Sequence, residues 1–259
     1  MNLSRRLQDK IALVTGIGAG IGRSCALMYA RHGATVIGCD INPDTARLTV
    51  ADAAAEGLTI DSLYPIDLTQ PADVSRFIEY AGERHGRIDV LINAAAIMPH
   101  MARIETLDYL KQWRPTLVGE VDVVVLACHY AWPYLKASGN ASIINFASVN
   151  AFRASTNFGM GPHCAGKAAV LALTRQLAIE GGPQIRANSI SPGMVITPAT
   201  QSAGASIDGE IRERILARVP MKRLGQADDI AWCAVFLGSE ESSWITGANV
   251  PVDGGVMAN

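Results

Sequence analysis

Near the amino terminus, Thr15-Gly-Ile-Gly-Ala-Gly-Ile-Gly22 combines small residues with a spacing suited to holding a phosphate anion. It follows an apolar stretch, Ile11-Ala-Leu-Val14, and precedes a helical pattern from Arg23 to His32. In this strand, turn and helix order, Gly16 permits the tight turn and Gly20 lets the backbone approach the phosphates. Gly22 lets helix and strand pack closely. The helix beginning near Ile21 then offers free N–H groups and the positive end of its dipole to the anion. Asp40 closes the next apolar stretch, Ala34-Thr-Val-Ile-Gly-Cys-Asp40. It lies about 20 residues beyond the glycines, where its carboxylate can accept from a ribose 2′-hydroxyl. The combination predicts a dinucleotide site. A carboxylate there repels a 2′-phosphate and Ala19 supplies no cation to receive one, so NAD is favoured over NADP. A solvated strand end is the plainer reading of Asp40.

The elements that must position these residues alternate between strand and helix along the whole chain. Strands are predicted near Ile11–Thr15, Thr35–Cys39, Ile60–Tyr64, Val90–Asn93, Ser142–Phe146, Arg186–Ser191 and Asn249–Val252. Helices are predicted over Ile21–His32, Pro43–Ala55, Pro71–His85, Leu107–Lys136, Gly161–Glu180 and Gln226–Leu237. Pro43 and Pro71 stand where a helix tolerates a missing N–H. The pattern predicts an α/β fold: a Rossmann-type doubly wound parallel sheet of about seven strands with helices on both faces. Residues 1–259 read as one domain, with no internal repeat or linker. The irregular stretch 200–219, at a strand's carboxyl end, reads as a lid over a ligand or as a surface excursion.

Composition narrows the classes of function. The chain has 259 residues, 49% of them hydrophobic, and a net charge of -2. That supports one large core and leaves no basic footprint for nucleic acid. The first ten residues lack an apolar stretch of secretory type, and no apolar run reaches membrane-spanning length. The five cysteines, Cys25, Cys39, Cys128, Cys164 and Cys233, fit neither a disulfide framework nor a metal-ligand spacing. A cytoplasmic, metal-free protein is expected. Cys164 adjoins the proposed site and reads as a small apolar residue.

Taken together, these motifs resemble the short-chain dehydrogenase/reductase family over essentially the whole chain. TGIGAGIG is similar to its TGxxxGxG cofactor loop. The resemblance places Asp67, in Ile-Asp67-Leu-Thr, against the adenine amine, and matches Asn93, in Asn93-Ala-Ala-Ala96, to the first residue of NNAG. Pro192-Gly193 with Thr197 resembles the PG-x-x-x-T segment that holds the nicotinamide amide, and Thr246-Gly247 and Asp253-Gly254-Gly255 resemble the usual closing turns. Ile21, Ile41, Leu68, Ala94 and Ile196 adjoin these positions and complete the implied cofactor contacts. The resemblance further implies a homo-oligomer, commonly a tetramer, built on long helices. Val121-Asp-Val-Val-Val-Leu-Ala127 and Ala168–Ile179 could serve for that, or could pack on the sheet alone.

The departures from the family fall at its catalytic positions. The family uses Tyr-x-x-x-Lys on one helix, with a serine upstream and an asparagine on the preceding long helix. Here the lysine is Lys167, in His163-Cys-Ala-Gly-Lys167, and His163 takes the tyrosine's place. Ser148 fits the serine, with Asn150 as the alternative. The asparagine's position, counted from Trp113, falls on Glu120. His163 and Lys167 are four residues apart and share a helix face. A phenol must be pulled down from about 10 to act as base, whereas an imidazole titrates near 6.5 and serves without help at neutrality. Neutral His163 could take an alcohol proton, with Ser148 bonding the substrate oxygen and Lys167 also binding the cofactor ribose. Glu120, if turned inward, could orient either partner. Plainer readings make His163 a helix-start residue, Glu120 a solvated or Arg-paired carboxylate, and Ser148 an ordinary strand-end hydroxyl. His100 and His129 carry no expectation.

Three functions remain open at this level. One is an NAD-dependent oxidoreductase acting on a small-molecule secondary alcohol or ketone. Another is a redox-neutral enzyme with bound NAD, such as a lyase, epimerase or dehalogenating enzyme. The third is a non-catalytic NAD-binding sensor. Pocket residues Ile97, Met98, Phe152, Phe158, Met160 and Met194 are largely apolar, which hints at a hydrocarbon-rich substrate.

Overall fold

Unbroken runs of buried apolar residues, rather than alternating ones, build the central strands, as expected of strands covered on both faces. The computed structural model describes residues 5–97, 100–154, 159–202 and 209–258. In chain order these form β1 (Ile11–Thr15), α1 (Gly20–Arg31), β2 (Thr35–Cys39), α2 (Pro43–Ala55), β3 (Ile60–Leu63), α3 (Pro71–His85) and β4 (Val90–Asn93). There follow α4 (Arg114–Leu117), α5 (Val123–Ser138), β5 (Ala141–Phe146), α6 (Gly161–Gly181), β6 (Ile185–Pro192), β7 (Val195–Ile196) and α7 (Pro198–Ser202). The chain finishes with α8 (Gly209–Ala217), β8 (Gly225–Gln226), α9 (Ala227–Gly238) and β9 (Asn249–Val252).

Seven strands make one parallel sheet in the order β3-β2-β1-β4-β5-β6-β9, and β7 and β8 form a separate small pair. One face is covered by α1, α2 and α9, whose Ala26, Tyr29, Ala46 and Ile230 pack on Val14 and Ile92. The other face is covered by α3, α5 and α6, whose Phe77, Val124, Leu135 and Val170 pack on Leu13 and Leu91. Strand order reverses between β1 and β4, and a crevice at the carboxyl ends of the strands opens at such a switch point.

The one substantial correction concerns the long helix predicted over Leu107–Lys136. Its path is helical but not uniform: Tyr109–Trp113 and Val118–Asp122 are π-turns, with α4 between them and α5 after. A π-turn inserts one extra residue per turn and shifts which side chains share a face. Of the helices expected at an oligomer interface, Val123, Val124 and Ala127 pack into the sheet, while Val125 and Ile179 are exposed. Residues 200–219 contain part of α7 and all of α8. Positions 203–208 of that stretch, with Met98 and Phe158, lie outside the described residues. No helix among the described residues is long and apolar enough to cross a membrane.

Candidate active site

The crevice is built first by the turn after β1. Gly16 has φ +74°, and a Cβ there would lie 2.8 Å from the Cα of Ala95. This position therefore needs glycine for conformation and for close approach. The N–H groups of Gly16 and Ile17 donate to the Cys39 carbonyl at 2.8 and 3.1 Å, tying the turn to the end of β2. Asp40 tightens the same junction: its Oδ2 accepts the Gly18 N–H at 2.7 Å and its Oδ1 accepts the Asn42 N–H at 2.8 Å. An ionised carboxylate offers about four acceptor directions, so two amides leave room for hydroxyl donors.

At the start of α1, Ala19 is an extended N-cap without a capping side chain, and the first turn holds no acidic residue. Its amide donors are therefore left for an external anion, beside a surface of glycine backbone. This arrangement fits the diphosphate of a dinucleotide. Gly20 lies beneath Thr197, whose methyl would be 3.2 Å from a Cβ at that glycine, so the segment after β6 faces the turn directly. Thr197 is held by Thr200, whose hydroxyl accepts its N–H at 2.9 Å.

Other expected cofactor positions surround this crevice. The Ile66 N–H donates to the Asp40 carbonyl at 2.9 Å, which brings Asp67 and buried Leu68 beside the end of β2. Asp67 accepts the N–H and hydroxyl of Thr69 at 2.9 and 2.8 Å. Ile41 is exposed and Ile196 half-buried. The Ala94 and Ala95 N–H groups both donate to Thr15 Oγ1 at 3.0 Å. Asn93 sends its side chain into the sheet, donating to Asn145 Oδ1 at 2.8 Å, and Asn145 donates in turn to Thr174 at 2.9 Å.

The residues expected at the catalytic positions, His163, Glu120 and Lys167, come together around the first turns of α6. His163 stands in the first turn of α6, and its Nδ1 lies 2.5 Å from Oε1 of Glu120. Glu120 comes from the π-turn Val118–Asp122 and is only 1% exposed; its Oε2 is buried without a hydrogen-bond partner. Lys167, one helical turn beyond His163 and 8% exposed, donates to the Phe146 carbonyl at 3.1 Å. Burial holds its ammonium below the usual lysine range, and the Glu120 charge partly offsets that. Ser148 follows two residues after Phe146, where its hydroxyl accepts the Asn150 N–H at 3.1 Å and caps the 3₁₀ turn Val149–Ala151. That turn packs against α6. Asn150 itself points its amide at Met160 Sδ, 3.7 Å away. The half-buried Cys164 thiol is raised by burial, opposite to an activated nucleophile.

Sequence reasoning passed over the Phe146 carbonyl, the Thr15 hydroxyl and Gly166. The last carried a signal: glycine inside a helix is unfavourable by about 1 kcal/mol against alanine, so a packing reason is expected. Here a Cβ at Gly166 would lie 2.5 Å from Glu120 Oε2.

A family model described as enoyl-(acyl carrier protein) reductase matches residues 16–257. The 3-oxoacyl-(acyl-carrier-protein) reductase of Thermotoga maritima is 32% identical over 255 residues, covering 97% of this chain and 99% of that protein. The 2,5-dichloro-2,5-cyclohexadiene-1,4-diol dehydrogenase of Sphingobium indicum is 34% identical, with 98% of each chain covered. Among solved structures, a 7α-hydroxysteroid dehydrogenase complexed with NADH and 7-oxo glycochenodeoxycholic acid superposes with a TM-score of 0.89 at 31% identity, covering 97% of this chain and 96% of that one. The chain therefore belongs to the short-chain dehydrogenase/reductase family of oxidoreductases.

Proposed function

We propose that this protein is a cytoplasmic, NAD-linked oxidoreductase that interconverts a secondary alcohol and a ketone, with His163 as the acid/base in place of the family's tyrosine. The observation that carries the reading is the contact between His163 and buried Glu120, with Lys167 one turn away on the same helix. The relatives named as dehydrogenases support the class of reaction. The choice of NAD rests on Asp40, whose negative charge disfavours a 2′-phosphate, and on the absence of a cation at Ala19.

In this reading, Gly16, Gly20, Ile21 and Gly22 hold the diphosphate and Asp40 and Ile41 the adenosine ribose. Asp67 and Leu68 hold the adenine, and Asn93, Ala94, Ile196 and Thr197 the nicotinamide half. Bound NAD supplies the hydride acceptor for alcohol oxidation. Ser148 hydrogen-bonds the substrate oxygen, His163 takes its proton through Nε2, and Lys167 binds the cofactor ribose and keeps positive charge near the reacting centre. Residues 200–219 serve as a lid over the substrate within one domain. The assembly is a homo-oligomer, a tetramer by preference, with exposed Val125 and Ile179 on the helices available to it.

The test follows reduced-nicotinamide absorbance across a panel of secondary alcohols. The variant His163→Ala is expected to lower the oxidation rate by about two to four decades, the usual worth of general-base catalysis, while NAD still binds. An undiminished rate removes His163 from the mechanism. The same histidine and carboxylate also suit proton abstraction beside a carbonyl, the basis of a redox-neutral alternative. Product formation without net NADH would select that reading instead.

A further inference from the structure

We infer that Glu120 is a positioning residue for His163, and that Gly166 provides the space in which its carboxylate acts. Together they hold the neutral imidazole as its Nδ1–H tautomer and leave Nε2 to exchange the proton with substrate. The inference rests on the proposed role of His163 and specifies how that residue is prepared for it.

Three features support it. First, an ionised carboxylate only accepts hydrogen bonds, so the 2.5 Å contact makes Nδ1 the donor to Oε1. The nitrogen that donates fixes which one remains free, since a neutral ring carries a single N–H. Second, Glu120 is buried and its Oε2 has no partner, so among the described residues His163 is the one hydrogen-bond donor to its carboxylate. A buried carboxylate satisfied at one oxygen is held by the group that satisfies it. Third, the space is specific. A Cβ at Gly166 would meet Oε2 at 2.5 Å and the Glu120 Cβ at 3.4 Å. Alanine would favour the helix but would displace the carboxylate. The π-turn Val118–Asp122 supplies the extra residue that brings Glu120 to face α6.

The resulting proton step balances. As alcohol becomes ketone, the hydroxyl proton passes to Nε2 and the hydride leaves carbon for the NAD already named as its acceptor. The ring becomes an imidazolium whose Nδ1–H stays on Glu120, and the carboxylate stabilises the new charge. The Nε2 proton then leaves to solvent, and ketone reduction runs these transfers in reverse. Glu120 itself touches no reacting atom.

The first readout needs no cofactor. In the full-length protein labelled at histidine nitrogen, with the His163 signals assigned by their loss in His163→Asn, the neutral ring should carry its proton on Nδ1. A proton on Nε2 in the unmodified protein overturns the inference whether or not any variant folds. The second readout is kinetic. Glu120→Leu should let the Nε2–H form appear and lower kcat by about ten-fold or more, with NAD affinity retained. Gly166→Ala should do the same while keeping both titrating side chains, and the double variant should fall no further than Glu120→Leu alone. An unchanged tautomer and kcat in Gly166→Ala and Glu120→Leu, with His163→Ala still inactive, overturns this inference and leaves the proposed function standing. Full activity in His163→Ala removes the proposed function even where the Nδ1–H assignment holds.

Discussion

At the scale of single residues, Asp40 joins the turn geometry it holds to the exclusion of a 2′-phosphate proposed for it, and a substitution cannot separate the two. A carboxylate that merely repelled a 2′-phosphate could be removed to admit NADP. Here its oxygens also accept the Gly18 and Asn42 amides at 2.7 and 2.8 Å and thereby shape the phosphate turn. A hydrogen bond to a charged acceptor is worth about 1.5–3 kcal/mol. Asp40→Ala should therefore weaken NAD binding by about ten- to one-hundred-fold, and NADP should not take its place, as titration calorimetry with both cofactors would measure. NADP binding to the variant as tightly as NAD binds the parent would refute the structural half of this argument. The sequence singles out Asp40, His163, Lys167 and Glu120 as candidates because each occupies a position defined by neighbours in the chain. It left open whether Glu120 turns inward. That depends on a π-turn and on a missing side chain at Gly166, two features that meet only after the π-turn Val118–Asp122 and α6 have packed together.

Among the elements, α1 is the most exposed to a trade between stability and binding. Its N-cap Ala19 has φ -156° and ψ 168°, the extended geometry in which a serine could accept an amide of the first turn. Ala19→Ser should stabilise the fold by about 0.5–2 kcal/mol. That corresponds to roughly 2–4 °C in Tm for each kcal/mol in a chain of this size. The same hydroxyl would occupy donors that the diphosphate needs, so NAD affinity should fall as Tm rises. Thermal melts and NAD titration on one preparation would check both, and a variant stabilised without loss of affinity would contradict the assignment of that helix end. The strands of the large sheet were legible because buried parallel strands are continuous apolar runs, as in Ile11–Thr15 and Val90–Asn93. The β7 and β8 pair was not, since two residues carry no period. Nor were the π-turns, because an apolar helical stretch such as Val121–Ala127 looks the same with or without one extra residue per turn.

For the whole molecule, pH should set stability through groups whose affinities for protons differ between folded and unfolded chains. Hydrogen bonds from Arg31, Lys10, Arg6 and Arg223 hold the carboxyls of Glu56, Glu240, Glu241 and Asp229 below their usual range. The unfolded chain then binds more protons, so this stability is complete above the ordinary carboxylate values near 4 and is lost as pH falls through the lowered ones. His32 acts in the same direction at higher pH: burial, with Arg6 beside it, holds its imidazole below the usual value near 6.5, so protonation favours unfolding as pH drops past that value. On the alkaline side the sign reverses. Burial pushes the thiols of Cys128 and Cys233 up to about 12 and about 11, and those of Cys25 and Cys39 higher still. The folded chain keeps these protons above the ordinary thiol value near 8.5, where the unfolded chain gives them up, so stability declines as pH rises. Lys167, lowered by burial, opposes that decline but is one group against five thiols, since burial raises Cys164 as well. Tm measured by calorimetry from pH 4 to pH 10 should therefore peak between about 6.5 and 8.5. A Tm still climbing beyond that interval would mean that Lys167 outweighs the buried thiols. A flat profile below it would mean that neither His32 nor the paired carboxylates differ between the two states.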